Sequence, residues 1–274
     1  MTHPFSYQGL RVVVTGASRG VGASLLELLA DLDVAHVTAI DLNPPGGPHD
    51  AFFAADLSDE DAVRDVVTRI GGPVSVLFNN AGVADTQPAD TVLSVNYLAL
   101  RTLSEGLLDR MPEGGAIVNT ASTAGGLWRK RAKEINSLLD VDLAGGWEAP
   151  LQWFAANGPE LGQTPYNFSK EVVVVHTLRS SRPTMRRGVR TNAVSPGPID
   201  TPLLPEFRRT TSDKIVDWNI REMGGRAVDP REVATTLAFL GSRAASYVNG
   251  VNLDIDGGFN AALATGQLDL SGRT

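Results

Sequence analysis

The sequence predicts an α/β fold: a single doubly wound parallel β-sheet with helices on both faces. Three observations carry this expectation. Short β-branched apolar runs alternate with amphipathic stretches along the whole chain, the order that builds a parallel sheet covered on both sides. The runs read as continuously apolar, as strands buried on both faces do. The first run leads through a glycine-rich turn straight into a helical pattern, a place where such sheets bind ligands.

Taken in order, Arg11–Thr15 (RVVVT) is a strand, followed by glycines and a helix marked by Leu25, Leu26, Leu28 and Leu29. Val37–Asp41 is a second strand, with Pro44–Pro48 as a loop behind it. Glu60–Ile70 reads as a helix with Ser58 or Asp59 as its N-cap. Val74–Asn79 is a strand, and Thr91–Met111 a long helix ended by Pro112 and the Gly114–Gly115 pair. Ala116–Thr120 is a strand, Tyr166–Arg179 a helix, Val189–Val194 a strand, Pro230–Leu240 a helix and Val251–Ile255 the last strand. Right-handed crossovers wind these units in both directions. Two stretches break the alternation, Thr123–Pro165 and Thr201–Val228, and both read as insertions at the carboxyl ends of strands. There is no internal repeat and no long low-complexity linker, so the 274 residues are expected to form one domain.

With 42% hydrophobic and 20% charged residues, the composition is that of a globular chain. The formal charge of −7 argues against nucleic acid or an anionic membrane as the main partner. The cluster of Arg182, Arg186, Arg187 and Arg190 reads as a solvated helix end. Cysteine is absent, which excludes disulfides, thiol catalysis and cysteine metal sites, and no metal is expected. Met1–Gln8 lacks the apolar core of a signal peptide. Runs such as Val172–Val175 are far too short to span a bilayer. A cytoplasmic protein is expected.

The first strand runs into Thr15-Gly16-Ala17-Ser18-Arg19-Gly20-Val21-Gly22. Glycines at a strand-to-helix turn let the backbone approach a pyrophosphate, and the helix start offers free N–H groups and a positive dipole end. Asp41 closes the second strand, where a carboxylate accepts hydrogen bonds from adenosine ribose hydroxyls and repels a 2′-phosphate. Leu42 follows, so no arginine stands there to bind a phosphate; Arg19, in the loop, pulls the other way. The carboxylate decides, and NAD is the expected cofactor. Tyr166 and Lys170 are spaced i, i+4 (YNFSK). On a helix they share a face, and an ammonium beside a phenol lowers its pKa toward that of a useful base.

These residues do not stand alone. The chain resembles the short-chain dehydrogenase/reductase family through TGASRGVG (Thr15–Gly22), Asp56-Leu57, NNAG (Asn79–Gly82), Asn96 in SVNYLAL, IVNTAS ending in Ser122, YNFSK, SPGPIDTP (Ser195–Pro202) and IDGG (Ile255–Gly258). The resemblance implies a Rossmann fold and a set of roles. Tyr166 is the acid/base, Ser122 bonds the substrate oxygen, Lys170 holds the nicotinamide ribose and Asn96 positions a water in a proton relay. Gly16, Ser18, Arg19, Gly20, Val21 and Gly22 form the pyrophosphate loop. Asp56 and Leu57 sit beside the adenine, and Asn80, Ala81 and Gly82 line the groove. Ile199 and Thr201, just past Pro196 and Gly197, face the carboxamide and phosphates.

The segment between Ser122 and Tyr166 is much longer than is usual in the family, and it carries Trp128, Trp147 and Trp153. This arrangement is similar to the subgroup of bacterial 3α-hydroxysteroid and coniferyl-alcohol dehydrogenases. The insert at about 123–165 either walls the substrate cleft or packs beside the Tyr166 helix, where related enzymes pair helices between subunits. The second placement is preferred, and with it a homo-oligomer that is a dimer rather than a tetramer. Residues 201–228, with Leu203, Leu204, Phe207, Trp218 and Met223, read as a mobile apolar substrate lid. The expected activity is NAD-dependent interconversion of an apolar alcohol and its carbonyl, of the 3α-hydroxysteroid type. The alternative is a coniferyl or other aryl alcohol dehydrogenase. A catalytically silent nucleotide-binding scaffold is a third class, against which the intact Asn96, Ser122, Tyr166 and Lys170 argue.

Overall fold

Seven parallel strands form one sheet in the order β3-β2-β1-β4-β5-β6-β7. They are β1 (Arg11–Thr15), β2 (His36–Asp41), β3 (Ala51–Ala54), β4 (Val76–Asn79), β5 (Ala116–Thr120), β6 (Arg190–Pro196) and β7 (Asn252–Ile255). The computed structural model describes residues 3–273. The helices are α1 (Gly20–Asp31), α2 (Glu60–Arg69), α3 (Ala89–Leu93), α4 (Ala99–Leu107), α5 (Ala132–Leu139), α6 (Glu148–Asn157), α7 (Pro165–Met185), α8 (Leu204–Thr210), α9 (Asp213–Glu222), α10 (Pro230–Gly241) and α11 (Phe259–Ala264). The chain steps outward from β1 through β2 to β3 and then returns to the other flank of β1 with β4. Winding therefore reverses between β1 and β4, and a crevice opens above their carboxyl ends.

Side chains alternate along a strand, so each strand feeds two cores. Val13, Leu77 and Ile117 pack with α2, α4 and α7 on one face. Val12, Val14, Val76, Phe78, Ala116 and Val118 pack with α1 and α10 on the other.

Several elements differ from the sequence expectation. β3 was not foreseen, because a half-exposed four-residue edge strand carries no periodic signal. The helix expected over Thr91–Met111 is divided by a π turn at Ser94–Leu98, with a short 3-10 turn at Leu108–Arg110. α7 runs past Arg179 and through Pro183. The missing proline N–H falls in its last turn, where the hydroxyls of Ser180, Ser181 and Thr184 bond back to helix carbonyls. Arg190 is not part of a solvated helix end. It lies buried on β6 and donates to the carbonyls of Leu240 and Ser242 at 2.7 and 3.0 Å.

Residues 123–165 hold α5 and α6, and they lie along the outer side of α4 and α7. Trp147 is buried and donates its indole N–H to Thr102 Oγ1 on α4 at 2.9 Å. Trp153 and Phe154 stack on Phe168 of α7, with ring centroids 6.3 and 5.5 Å apart. Arg131 makes a two-pronged ion pair with Glu171 of α7, whose carboxylate is fully buried. At the start of the same segment, Leu127, Trp128 and Arg129 line the cleft. The two placements considered for the insert are thus both realised, by different parts of it.

Candidate active site

A cleft of about 1640 Å³ opens above the carboxyl ends of the strands. Its floor begins at the glycine turn. Gly16 and Gly20 have φ of +65° and +56°, values that side chains with a Cβ adopt poorly. A Cβ on Gly16 would stand 2.7 Å from the Ala81 Cα, and one on Gly22 would overlap the Gly16 carbonyl. The loop is thus packed too tightly for side chains, and its backbone faces the cleft. Helices α2, α7, α9 and α10 each have an N-cap side chain bonded to their first turn. α1 has none, and no acidic residue in its first turn. Its start is free to receive an anion.

Asp41 accepts hydrogen bonds from the backbone N–H of Ser18 (2.9 Å) and of Asn43 (3.3 Å). A carboxylate offers about four acceptor positions, so two remain for hydroxyls. The residues present therefore fit a dinucleotide whose ribose hydroxyls face Asp41. Arg19, Val21, Asp56, Leu57, Asn80, Ala81, Gly82, Pro196, Gly197, Ile199 and Thr201 also line the cleft. Ser18 contributes its backbone to Asp41, and Gly22 is a packing position beneath the loop.

The loop after β4 is held along its length. Thr15 Oγ1 accepts the N–H groups of Asn80 and Ala81, both at 3.0 Å. Asn96, buried in the π turn, accepts from Val83 N–H (2.9 Å) and donates to Val83 O (3.1 Å) and Ser169 Oγ (2.9 Å). Both amide protons are thereby satisfied within the fold. Asn79 points away from the cleft and donates to Asn119 and Ser104. Asn119 in turn donates to Thr177, which ties β4 and β5 to α7.

On that tethered helix, Tyr166 and Lys170 lie one turn apart and face β5. The Ser122 hydroxyl faces the Tyr166 phenol and favours its ionised form. Ser122 also accepts from Ala124 N–H at 3.1 Å, which fixes its rotamer at the end of β5. Lys170 donates to the Thr120 carbonyl at 2.9 Å, and its Nζ lies 5.7 Å from the Tyr166 ring centroid. Burial pulls the lysine down to about 8. Burial pushes the phenol up to about 12; the Ser122 hydroxyl works against that rise and the Asp85 charge adds to it. Desolvation of the phenolate is the largest of these effects.

Two contacts were missed in the sequence. The Phe207 ring on α8 stands 4.8 Å from the Tyr166 ring, edge to face. Asp85 accepts the backbone N–H of Tyr166 at 2.7 Å. Neither sits at a spacing that marks it out. Residues 201–228 are pinned at their base by a bridge between Ile199 and Val228, and at α8 by a hydrogen bond from Thr86 to Glu206. Trp218 and Met223 pack with Phe259 of α11.

Two hydroxyls and a buried amine, set in one cleft with an uncapped helix start and the carboxylate of Asp41, are groups suited to a nucleotide-dependent alcohol dehydrogenase. Known proteins agree. The family described as short chain dehydrogenase matches residues 11–132, and the one described as Enoyl-(Acyl carrier protein) reductase matches residues 152–260. The coniferyl-alcohol dehydrogenase of Pseudomonas sp. strain HR199 is 32% identical over 252 residues, 90% of this chain and 95% of that protein. Gluconate 5-dehydrogenase of Gluconobacter oxydans is 29% identical over 289 residues, 96% of this chain and 100% of that protein. The crystal structure of 3-alpha-hydroxysteroid dehydrogenase from Pseudomonas sp. B-0831, complexed with NADH, matches with a TM-score of 0.75 at 31% identity. It covers 94% of this chain and 99% of that one. The chain belongs to the short-chain dehydrogenase/reductase family: it is an NAD(P)-dependent oxidoreductase acting on CH–OH groups.

Proposed function

We propose that this cleft uses NAD to interconvert a flat apolar alcohol of the hydroxysteroid type and its carbonyl. The observation that carries the chemistry is that Ser122, Tyr166 and Lys170 line one cleft, with the Lys170 amine 5.7 Å from the Tyr166 ring and the Ser122 hydroxyl facing the phenol. When bound, the nicotinamide accepts or returns the hydride. The chain's own residues do the rest. The substrate oxygen sits between Ser122, which donates a hydrogen bond, and Tyr166, which takes the hydroxyl proton as phenolate. In the reverse direction the phenol returns that proton. Preorganised donors at the developing alkoxide lower the barrier. Lys170, an ammonium at neutral pH, offsets the phenolate charge and binds ribose. Asn96 acts as scaffold, holding the Gly82–Val83 backbone beside Lys170.

Asp41 supports NAD over NADP. Gly16, Ser18, Arg19, Gly20, Val21 and Gly22 take the pyrophosphate, with Asp56 and Leu57 at the adenine. Asn80, Ala81, Gly82, Pro196, Gly197, Ile199 and Thr201 line the remaining length. Leu127, Trp128, Leu203, Leu204 and Phe207 supply apolar wall for a flat substrate, with residues 201–228 as its lid. An aryl or allylic alcohol is a second reading, favoured by the 32% identity to coniferyl-alcohol dehydrogenase. The chain is read as one cofactor-binding domain. Because the insert occupies the outer side of α4 and α7, a dimer rather than a tetramer, with the insert near an interface, is the assembly this reading supports. Among the described residues no helix is long and apolar enough to cross a membrane.

A panel of hydroxysteroids and cinnamyl-type alcohols, assayed with NAD and with NADP, tests this reading. Turnover of the steroids with NAD is the expected result. Turnover of cinnamyl alcohols alone selects the second reading, and preference for NADP overturns the cofactor assignment.

A further inference from the structure

The loop after β4 ends in a carboxylate that the chemistry above does not use. Asp85 Oδ1 accepts the backbone N–H of Tyr166 at 2.7 Å. That N–H belongs to the first turn of α7, whose donors have no intrahelical partner. Thr164, the N-cap, serves only Asn167 N–H, at 3.2 Å. The Tyr166 donor is therefore satisfied from another part of the fold. At its near end the same loop is anchored to Thr15 through Asn80 and Ala81, and in its middle to Asn96 through Val83. One short segment thus ties the glycine turn, the π turn and the residue that bears the phenol.

Resting on the proposed role of Tyr166, we infer that Asp85 is a positioning residue. Its hydrogen bond fixes the first turn of α7 so that the phenol faces Ser122, and its negative charge moves the onset of alcohol oxidation to higher pH. The groups around the phenol support the second part. Lys170 faces it from its own helix, the neutral Ser122 hydroxyl from β5 and the apolar Phe207 ring from α8. Glu206, also on α8, is engaged by Thr86. Asp85 is the carboxylate whose charge opposes phenolate formation.

Two substitutions separate bond from charge. Asp85→Asn keeps an acceptor oxygen for the Tyr166 N–H and removes the charge. Asp85→Ala removes both. In Asp85→Asn, the alkaline rise of kcat/KM for alcohol oxidation should move to lower pH by roughly half a unit to one unit, with neutral kcat retained or increased. In Asp85→Ala, kcat should fall about tenfold or more while the NAD dissociation constant stays within about twofold, because a small displacement of a catalytic group is costly. A residue that only capped the helix would lower the melting temperature and leave kcat and the pH profile alone. The onset of tyrosinate absorbance gives a readout independent of turnover, with Tyr166→Phe as the blank that isolates this phenol. It should appear at lower pH in Asp85→Asn. An unmoved onset together with wild-type kcat in Asp85→Ala overturns the inference. Normal turnover by Tyr166→Phe instead overturns the underlying assignment of the base, and the absorbance titration still decides whether Asp85 acts on the phenol.

Discussion

At the scale of single residues, the proposed preference for NAD rests on Asp41. A carboxylate close to a 2′-phosphate costs about 1–4 kcal/mol between water-like and protein-like dielectric, enough for a ten- to hundredfold preference for NAD. Asp41→Ala should reduce that preference about tenfold or more, measured by fluorescence titration of both cofactors. Tighter NADP binding by the unmodified protein would contradict the role. Burial holds the Tyr166 phenol at about 12, so at neutral pH it is almost wholly protonated. The phenolate fraction then grows with pH, and oxidation should climb from pH 7 into the alkaline range. Carbonyl reduction needs the protonated phenol and should not climb with it. Rate profiles in both directions check this, and oxidation that is flat with pH would speak against a tyrosine base. The i, i+4 spacing made the Tyr166–Lys170 pair legible in the sequence, but not the sign of its shift. Desolvation depends on what covers the phenol, and Phe207 and the Asp85 loop come from elements remote in the chain.

At the scale of elements, the insert is held by defined contacts. Arg131→Met leaves the buried Glu171 carboxylate without its partner, which typically costs 3–5 kcal/mol. The urea midpoint should fall accordingly, and Arg131→Met combined with Glu171→Gln should recover most of the loss. Equal loss in the single and double variants would show that the charge pair is not what holds the segment. Three tryptophans told the sequence reader that residues 123–165 bury against something. They could not say that Trp147 meets Thr102 while Trp128 faces the cleft, because both placements satisfy an aromatic ring. The π turn was equally hidden. The family resemblance marked Asn96 as a site residue, but its three bonds to Val83 and Ser169 carried no signal in the sequence. Strand β3 escaped for a different reason: it is held by pairing with β2, and its own half-exposed residues show no alternation.

At the scale of the whole molecule, the doubly wound sheet was legible because parallel strands need crossovers and crossovers leave a long alternating record. The cleft follows from the reversal between β1 and β4, which brings the glycine turn, Asp41 and the end of β5 to one edge. The proposed dimer rests on what the insert covers. Light scattering on the full chain should give the mass of a dimer, and replacing residues 129–163 by a short linker should change that mass more than it changes NAD affinity. An unchanged mass with lost substrate selectivity would mean that the insert serves the cleft alone. The central claim, that Tyr166 is the acid/base of an NAD-dependent alcohol dehydrogenase, is met most directly by comparing the unmodified protein with Tyr166→Phe. The measurement is turnover of a hydroxysteroid or cinnamyl alcohol alongside NAD affinity. Turnover should fall roughly 100- to 10,000-fold while NAD binds as before; near-normal turnover by the phenylalanine variant would contradict it.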